Sequence, residues 1–167
     1  MEAAWFTLHK AVFLDRDGLI NQKAPEHDYI KSEQGFLLLP GVSEAIRALN
    51  QAGYLVLVVT NQRGIARGLM TMEDLERIHW HMRRELARAG AYIDQIYVCP
   101  HDVGQCNCRK PDIGLFIQAS YDFAIDRAHS WMVGDSDSDV EAGNRFGLRT
   151  VKTTCLTDAV KKILEEM

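Results

Sequence analysis

Apolar and amphipathic segments alternate along the 167-residue chain, and this order makes it an α/β protein. The architecture expected is a Rossmann-like three-layer sandwich with a mainly parallel central sheet and no separate cap domain. Three observations carry this. Five short strand candidates alternate with five helix candidates, and strands joined through helices run parallel. The run Tyr54–Val59 is β-branched and lacks polar alternation, as a strand buried on both faces does. Finally, these elements use nearly the whole length, so a single domain over residues 1–167 is expected.

In chain order, Lys10–Leu14 is the first strand candidate, an apolar run that stops at acids. Val42, Ala45, Ile46 and Leu49 recur at helical spacing within 41–52, and Gly53 is a plausible stop. Tyr54–Val59 follows as the second strand. Thr71 caps a helix to about Ala89, with Asp74 three residues on and Gly90 beyond its end. Asp94–Cys99 is a strand, and Pro111 to about Ala124 a helix begun by proline. Ser130–Val133, Ser138–Phe146 (stopped by Gly147), Leu148–Lys152 and Asp158–Glu166 complete the strand, helix, strand, helix order.

Hydrophobic residues make up 47% and charged residues 25%, which excludes a disordered chain. The net charge of −4 weighs against a nucleic-acid surface, so no nucleic-acid partner is expected. No apolar run approaches the roughly 18 residues of a membrane span, so no membrane partner is expected either. The opening MEAAWFTLHK lacks the basic-then-apolar order of a secretory leader, which points to the cytoplasm. With no heptad run and no helix apolar all round, a monomer is expected. Trp5, Trp80 and Trp131 read as packing residues, and His79 and His81, two apart on a helix, do not form a metal pair.

Ligands of parallel sheets sit at the carboxyl ends of the strands. Those ends read Asp15-Arg-Asp17, Thr60-Asn-Gln62, Cys99-Pro-His101 and Gly134-Asp135-Ser-Asp137. Asp15 and Asp17 project to one side of an extended segment, where they repel and raise one pKa unless a cation lies between them. The acids 135–139 alone could serve as a helix cap. Together with Asp15 they form an oxygen-rich site suited to Mg²⁺. Thr60 with the following N–H groups can hold phosphate oxygens, and Lys110 can neutralise phosphate charge.

Asp15-Arg-Asp-Gly18, Thr60, Lys110 and Asp135–Asp139 resemble the four signature motifs of the haloacid dehalogenase superfamily of phosphohydrolases. The longer strings Thr60-Asn-Gln-Arg-Gly-Ile65 and Cys106-Asn-Cys-Arg-Lys-Pro111 are similar to the branch holding the heptose-bisphosphate phosphatases and the histidinol-phosphate phosphatases. The resemblance runs from about Ala11 to Lys152. It implies that Asp15 is a nucleophile forming an aspartyl phosphate and that Asp17 is the general acid/base. It implies Mg²⁺ held by Asp15, Asp135 and the backbone carbonyl of Asp17, with Thr60 and Lys110 completing the phosphate cradle. Arg16, Asn61, Gln62, Arg63 and Arg109 are then substrate contacts, and Asp139 orients Lys110 or a metal-bound water. The family's Lys-Pro-x-Pro-Gly pattern is here Lys110-Pro-Asp-Ile-Gly114, with one proline fewer. The 21–29 stretch, longer than in the heptose enzymes, adds Lys23, Glu26 and His27 to a loop expected near the substrate.

Cys99, His101, Cys106 and Cys108 offer three thiolates and an imidazole within ten residues, a set suited to tetrahedral Zn²⁺. A Cys106–Cys108 disulfide and unligated thiols are the alternatives that the spacing leaves open. The likeness to the zinc loop of the same phosphatases favours a structural Zn²⁺ over residues 99–108, fixing Arg109 and Lys110. Cys155 stands apart. The substrate expected is a small phosphorylated sugar, preferably heptose 1,7-bisphosphate in nucleotide-activated heptose synthesis, as in lipopolysaccharide. Histidinol phosphate, a DNA 3′-phosphate and a non-catalytic phosphate sensor are the other readings. The gaps 15–40 and 100–110, about 26 and 11 residues, are too short to hold a cap domain, so an open cleft is expected.

Overall fold

The computed structural model describes residues 7–167; Trp5 and the first residues of the opening segment lie outside them. Five strands form one sheet in the order β3-β2-β1-β4-β5. They are β1 (Ala11–Leu14), β2 (Leu55–Asn61), β3 (Gln95–Cys99), β4 (Trp131–Gly134) and β5 (Arg149–Lys152). Every pairing is parallel, with Leu14 opposite Val58 on one side and Val133 on the other. The expected α/β sandwich is thus present, with a wholly parallel sheet.

The helices are α1 (Val42–Gln51), α2 (Arg63–Ala66), α3 (Met72–Arg88), α4 (Gly114–Asp122), α5 (Asp137–Phe146) and α6 (Leu156–Glu165). Alternate strand residues feed two cores. Val12, Leu14, Val56, Val58 and Val133 pack with α1, α3 and α6. Ala11, Phe13, Leu57, Val59 and Met132 pack with α4 and α5, where Phe13, Phe116 and Phe146 stack at 4.9–6.3 Å. Thr71 and Asp74 close a capping box on α3, and Ser136 and Asp139 close another on α5.

Three helices depart from the sequence reading in ways that have a physical reason. α4 starts at Gly114 rather than Pro111, because the N–H groups of Asp112 and Gly114 are spent on a turn, donating to the carbonyls of Arg109 and Asn107. The four-residue α2 lacks a full apolar period and so was not predicted. α6 starts two residues early, at Leu156, whose side chain is buried. Trp131 packs inside, but Trp80 is 64% exposed and is not a packing residue.

Residues 21–38 lie across the end of the sheet. Asn21 bridges to Leu38, and the Leu39 N–H donates to the Ile20 carbonyl. The segment carries a 3₁₀ turn at Glu33–Gly35 capped by Ser32, so the β1–α1 connection is an ordered strap. No helix among the described residues is long and apolar enough to cross a membrane.

Candidate active site

Strand order reverses between β1 and β4, and the acids gather at the carboxyl edge there. The Asp15 N–H donates to the Val133 carbonyl, so β1 carries Asp15 to the level of Gly134. The carboxylates of Asp15, Asp135 and Asp139 lie within 4.8 Å of one another. Two glycines make that density possible. A Cβ on Gly134 would sit 2.2 Å from Asp139 Oδ2, and one on Gly18, at φ +87°, would sit 2.4 Å from Asp135 Oδ2.

Lys110 reaches this group from the loop after β3. Its buried ammonium donates to Asp15 Oδ1 (2.8 Å), Asp139 Oδ1 (2.7 Å) and the Val59 carbonyl (2.8 Å), using all three protons. Burial works against its charge, but the two carboxylates outweigh this and raise its pKa. The other Asp139 oxygen accepts from the N–H (3.1 Å) and hydroxyl (2.8 Å) of Ser136, so Asp139 is fully engaged. Lys23, from the strap, lies 2.8 Å from Asp135 Oδ2. Burial pushes Asp15 up to about 7, partly offset by Lys110 and reinforced by Asp139.

Asp17 belongs to a different network. Its Oδ1 accepts from Arg16 Nη2 (2.7 Å), Arg16 Nε (3.3 Å) and Asn21 Nδ2 (3.0 Å), and its Oδ2 from Gln62 Nε2 (3.0 Å). Burial raises its pKa, but the Arg16 charge and the hydrogen bonds from Asn21, Arg16 and Gln62 win, and the net direction is down. Its carboxylate is not one of the three that gather within 4.8 Å.

Several residues expected at the substrate also hold protein partners. The Arg16 side chain is fully buried, and its partners are protein groups: besides Asp17 it meets His79 Nε2 at 3.0 Å. Asn61 pairs both ends of its amide with the Lys110 backbone (3.1 and 3.2 Å), pinning that loop to β2. Gln62 is buried and joins Asp17 to the Thr60 hydroxyl (2.8 Å). Arg63 donates to the Tyr29 hydroxyl (3.2 Å) and lies 3.7 Å from Asp102, tying strap to loop. Arg109 keeps a buried Nη1 with no partner. A cleft of ≈ 250 Å³ opens beside Asp17, between the strap residues Lys23, His27 and Tyr29 and the β2 end at Asn61 and Gln62. Asn21 and Tyr29 lie in the stretch expected near the substrate and His79 was read only as no metal ligand, but none of the three was expected to contact Arg16, Asp17 or Arg63.

Farther along the same edge, Cys99, His101, Cys106 and Cys108 bring their ligand atoms within 4.8 Å of one another. Cys108 Sγ is 3.1 Å from Cys99 Sγ and 3.4 Å from His101 Nδ1, and Cys99 Sγ is 3.5 Å from Cys106 Sγ. Cys106 is brought down to about 7: desolvation opposes the shift, but the N–H groups of Cys108 and Arg109 favour the thiolate. All three are free thiols, so the disulfide alternative is not realised.

Paired acids at the end of β1, a buried lysine and a third acid after β4 on a parallel sheet define a haloacid dehalogenase-type hydrolase. The HAD-hydrolase-like family model matches residues 107–155. Over 146 residues the chain is 40% identical to a D-glycero-β-D-manno-heptose-1,7-bisphosphate 7-phosphatase of Rhodopseudomonas palustris, covering 83% of this chain and 79% of the relative. Over 159 residues it is 38% identical to the corresponding α-anomer phosphatase of Burkholderia mallei, covering 90% and 82%. The heptose 1,7-bisphosphate phosphatase of B. bronchiseptica, solved with magnesium and phosphate, superposes with a TM-score of 0.82 at 32% identity, covering 95% of this chain and 99% of that one. The chain belongs to the D-glycero-D-manno-heptose-1,7-bisphosphate 7-phosphatase family of HAD phosphatases.

Proposed function

We propose that this chain removes the 7-phosphate of D-glycero-D-manno-heptose 1,7-bisphosphate, as a step of nucleotide-activated heptose synthesis. The observation that carries this is the 40% identity across four-fifths of the chain to a phosphatase of that name, with the acids and lysine of the site in one cluster. In this reading residues 1–167 are one phosphatase domain. The free thiols suit a reducing, cytoplasmic setting, and the acidic net charge suits a sugar-phosphate enzyme over one acting on nucleic acid.

Asp15 attacks phosphorus and the bond to the sugar oxygen breaks, leaving an aspartyl phosphate. Asp17 rests as a carboxylate, takes up a proton with the substrate and passes it to that sugar oxygen. It then takes a proton from the water that attacks the intermediate, releasing phosphate and restoring Asp15. Asp17 Oδ1 already meets three N–H groups, whereas Oδ2 meets only Gln62, so Oδ2 is the oxygen that handles the proton. Lys110 neutralises developing charge, the Thr60 hydroxyl binds phosphate, and the half-buried Arg109 meets the substrate.

Three carboxylates against the ammonium groups of Lys110 and Lys23 suit a hard dication. Asp15, Asp135 and the Asp17 carbonyl would hold Mg²⁺; when bound it supplies positive charge against nucleophile and phosphate. The cysteine set fits Zn²⁺. Its sulfur spacings approach the roughly 3.7 Å edge of a tetrahedron with 2.3 Å Zn–S bonds, and every ligand comes from protein, as in structural sites. It would anchor the loop that presents Arg109 and Lys110.

The test is magnesium-dependent phosphate release measured side by side on heptose 1,7-bisphosphate and histidinol phosphate. Faster turnover of the heptose compound is expected. Preference for histidinol phosphate would overturn the substrate assignment, and no release from either would overturn the enzyme reading.

A further inference from the structure

We infer that His79 is a positioning residue for the phosphatase reaction, acting on Asp17 through the guanidinium of Arg16. The inference rests on Asp17 being the acid/base proposed above. Five side chains of α3 are buried: Leu75, Ile78, Met82, Leu86 and His79. Four are apolar core residues, and only the fifth makes a polar contact in the active-site layer, with Arg16 Nη1 at 3.0 Å.

The chemistry of that contact has one solution. A guanidinium only donates, so His79 Nε2 must accept, and the ring is neutral with its proton on Nδ1. Burial and the neighbouring Arg16 charge keep it so, holding its pKa down to about 3. Arg16 is therefore gripped at two ends. Nη1 donates to His79, while Nη2 and Nε donate to Asp17 Oδ1 at 2.7 and 3.3 Å. The guanidinium also lies 5.9 Å from the Phe36 ring centre, which closes its remaining side.

Without the acceptor on α3, Nη1 becomes a buried, unpaired donor. The guanidinium then turns to find another partner, and Asp17 Oδ1 keeps only Asn21. The carboxylate loses the alignment that points Oδ2 at the leaving oxygen. A general acid out of line matters most when the leaving group is a poor one. A sugar alkoxide needs the proton, whereas p-nitrophenolate leaves without it.

His79→Phe keeps the ring volume and removes the acceptor; His79→Gln puts a carbonyl oxygen near the Nε2 position. For His79→Phe, kcat on heptose 1,7-bisphosphate should fall about tenfold with KM within about twofold, and kcat on p-nitrophenyl phosphate should fall less than about threefold. His79→Gln should restore the sugar-phosphate rate to within about twofold of wild type. If His79→Phe does not fold, as judged by circular dichroism, His79→Leu takes its place. Asp17→Asn is measured on both substrates alongside. If Asp17→Asn shows the leaving-group selectivity but the His79 variant loses both activities equally, or neither, the role of His79 is overturned and that of Asp17 stands. If Asp17→Asn itself lacks the selectivity, the acid/base reading falls and this inference with it.

Discussion

Asp15 and Asp17 stand two residues apart after the same strand, yet their surroundings differ in kind. Asp15 faces two further carboxylates and shares one lysine with Asp139, and burial pushes it up to about 7. Asp17 is held by Arg16, Asn21 and Gln62 and is shifted downward. The repulsion expected of two acids at this spacing is thus resolved on one side only, because the residue between them folds toward Asp17. The chain satisfies Asp17 by itself, whereas it leaves Asp15 in an excess of negative charge that suits a dication. One spacing therefore yields two environments.

The sharpest way to break this comparison is to neutralise each acid. Asp15→Asn should lower phosphate release by at least about 10⁴-fold on every substrate, because no nucleophile is left. Asp17→Asn should cost less, and least on aryl phosphates. Equal losses for the two variants on p-nitrophenyl phosphate would mean that the acids do not divide the labour.

A second test asks which side needs the cation. Saturating Mg²⁺ should raise the melting temperature of the wild-type chain, since a ligand that binds only the fold stabilises it, by about 3–4 kcal/mol at 100–1,000 times Kd. Asp135→Asn should lose most of this shift. Asp17→Asn should keep it, because its carboxylate is not in the three-acid group. A shift lost equally in both would erase the distinction. Removal of zinc, by a chelator or by Cys108→Ser, should act more mildly: KM raised several-fold, with the circular dichroism of the sheet unchanged. A zinc-free, folded enzyme with unaltered KM would show that the loop needs no metal anchor.

The sheet was legible in the sequence because its central strands β1, β2 and β4 are apolar runs with a polar stop, a local signal. Asp15, Thr60, Lys110 and Asp135 were legible for the same reason, as strand-end residues in short motifs. What was not legible is which way a polar side chain turns. Arg16 sits between two acids in sequence and reads as a substrate contact, but its partner His79 is 63 residues away on α3. Asn61 and Gln62 sit at the mouth in sequence, yet they spend their amides on Lys110 and Asp17, choices that tertiary packing makes. α2 and the true start of α4 were hidden because four residues carry too little periodicity, and because a turn, not the proline, decides where α4 begins.

The smallest effect expected concerns stability rather than turnover, and it tests whether the Asp17 side is as self-sufficient as its contacts imply. That side depends on a neutral His79. In the fold, burial first and then the charges of Arg16 and Arg83 hold His79 near 3, against an ordinary value of 6.5, while Asp17 pulls the other way. The folded pKa lies below the unfolded one, so the unfolded chain binds the proton first as pH falls. The stability is fully present above about pH 6.5 and drains away between 6.5 and 3, at no more than about 1.4 kcal/mol per pH unit. Between pH 6.5 and 4.5 this amounts to roughly 2 kcal/mol, or about 4–8 °C in melting temperature for a chain of this size. His79→Phe is less stable at neutral pH but has no proton to take up, so its melting temperature should fall by that much less across the same range. Parallel melting curves for wild type and variant would place the His79 proton outside the fold's control and detach Arg16 from α3.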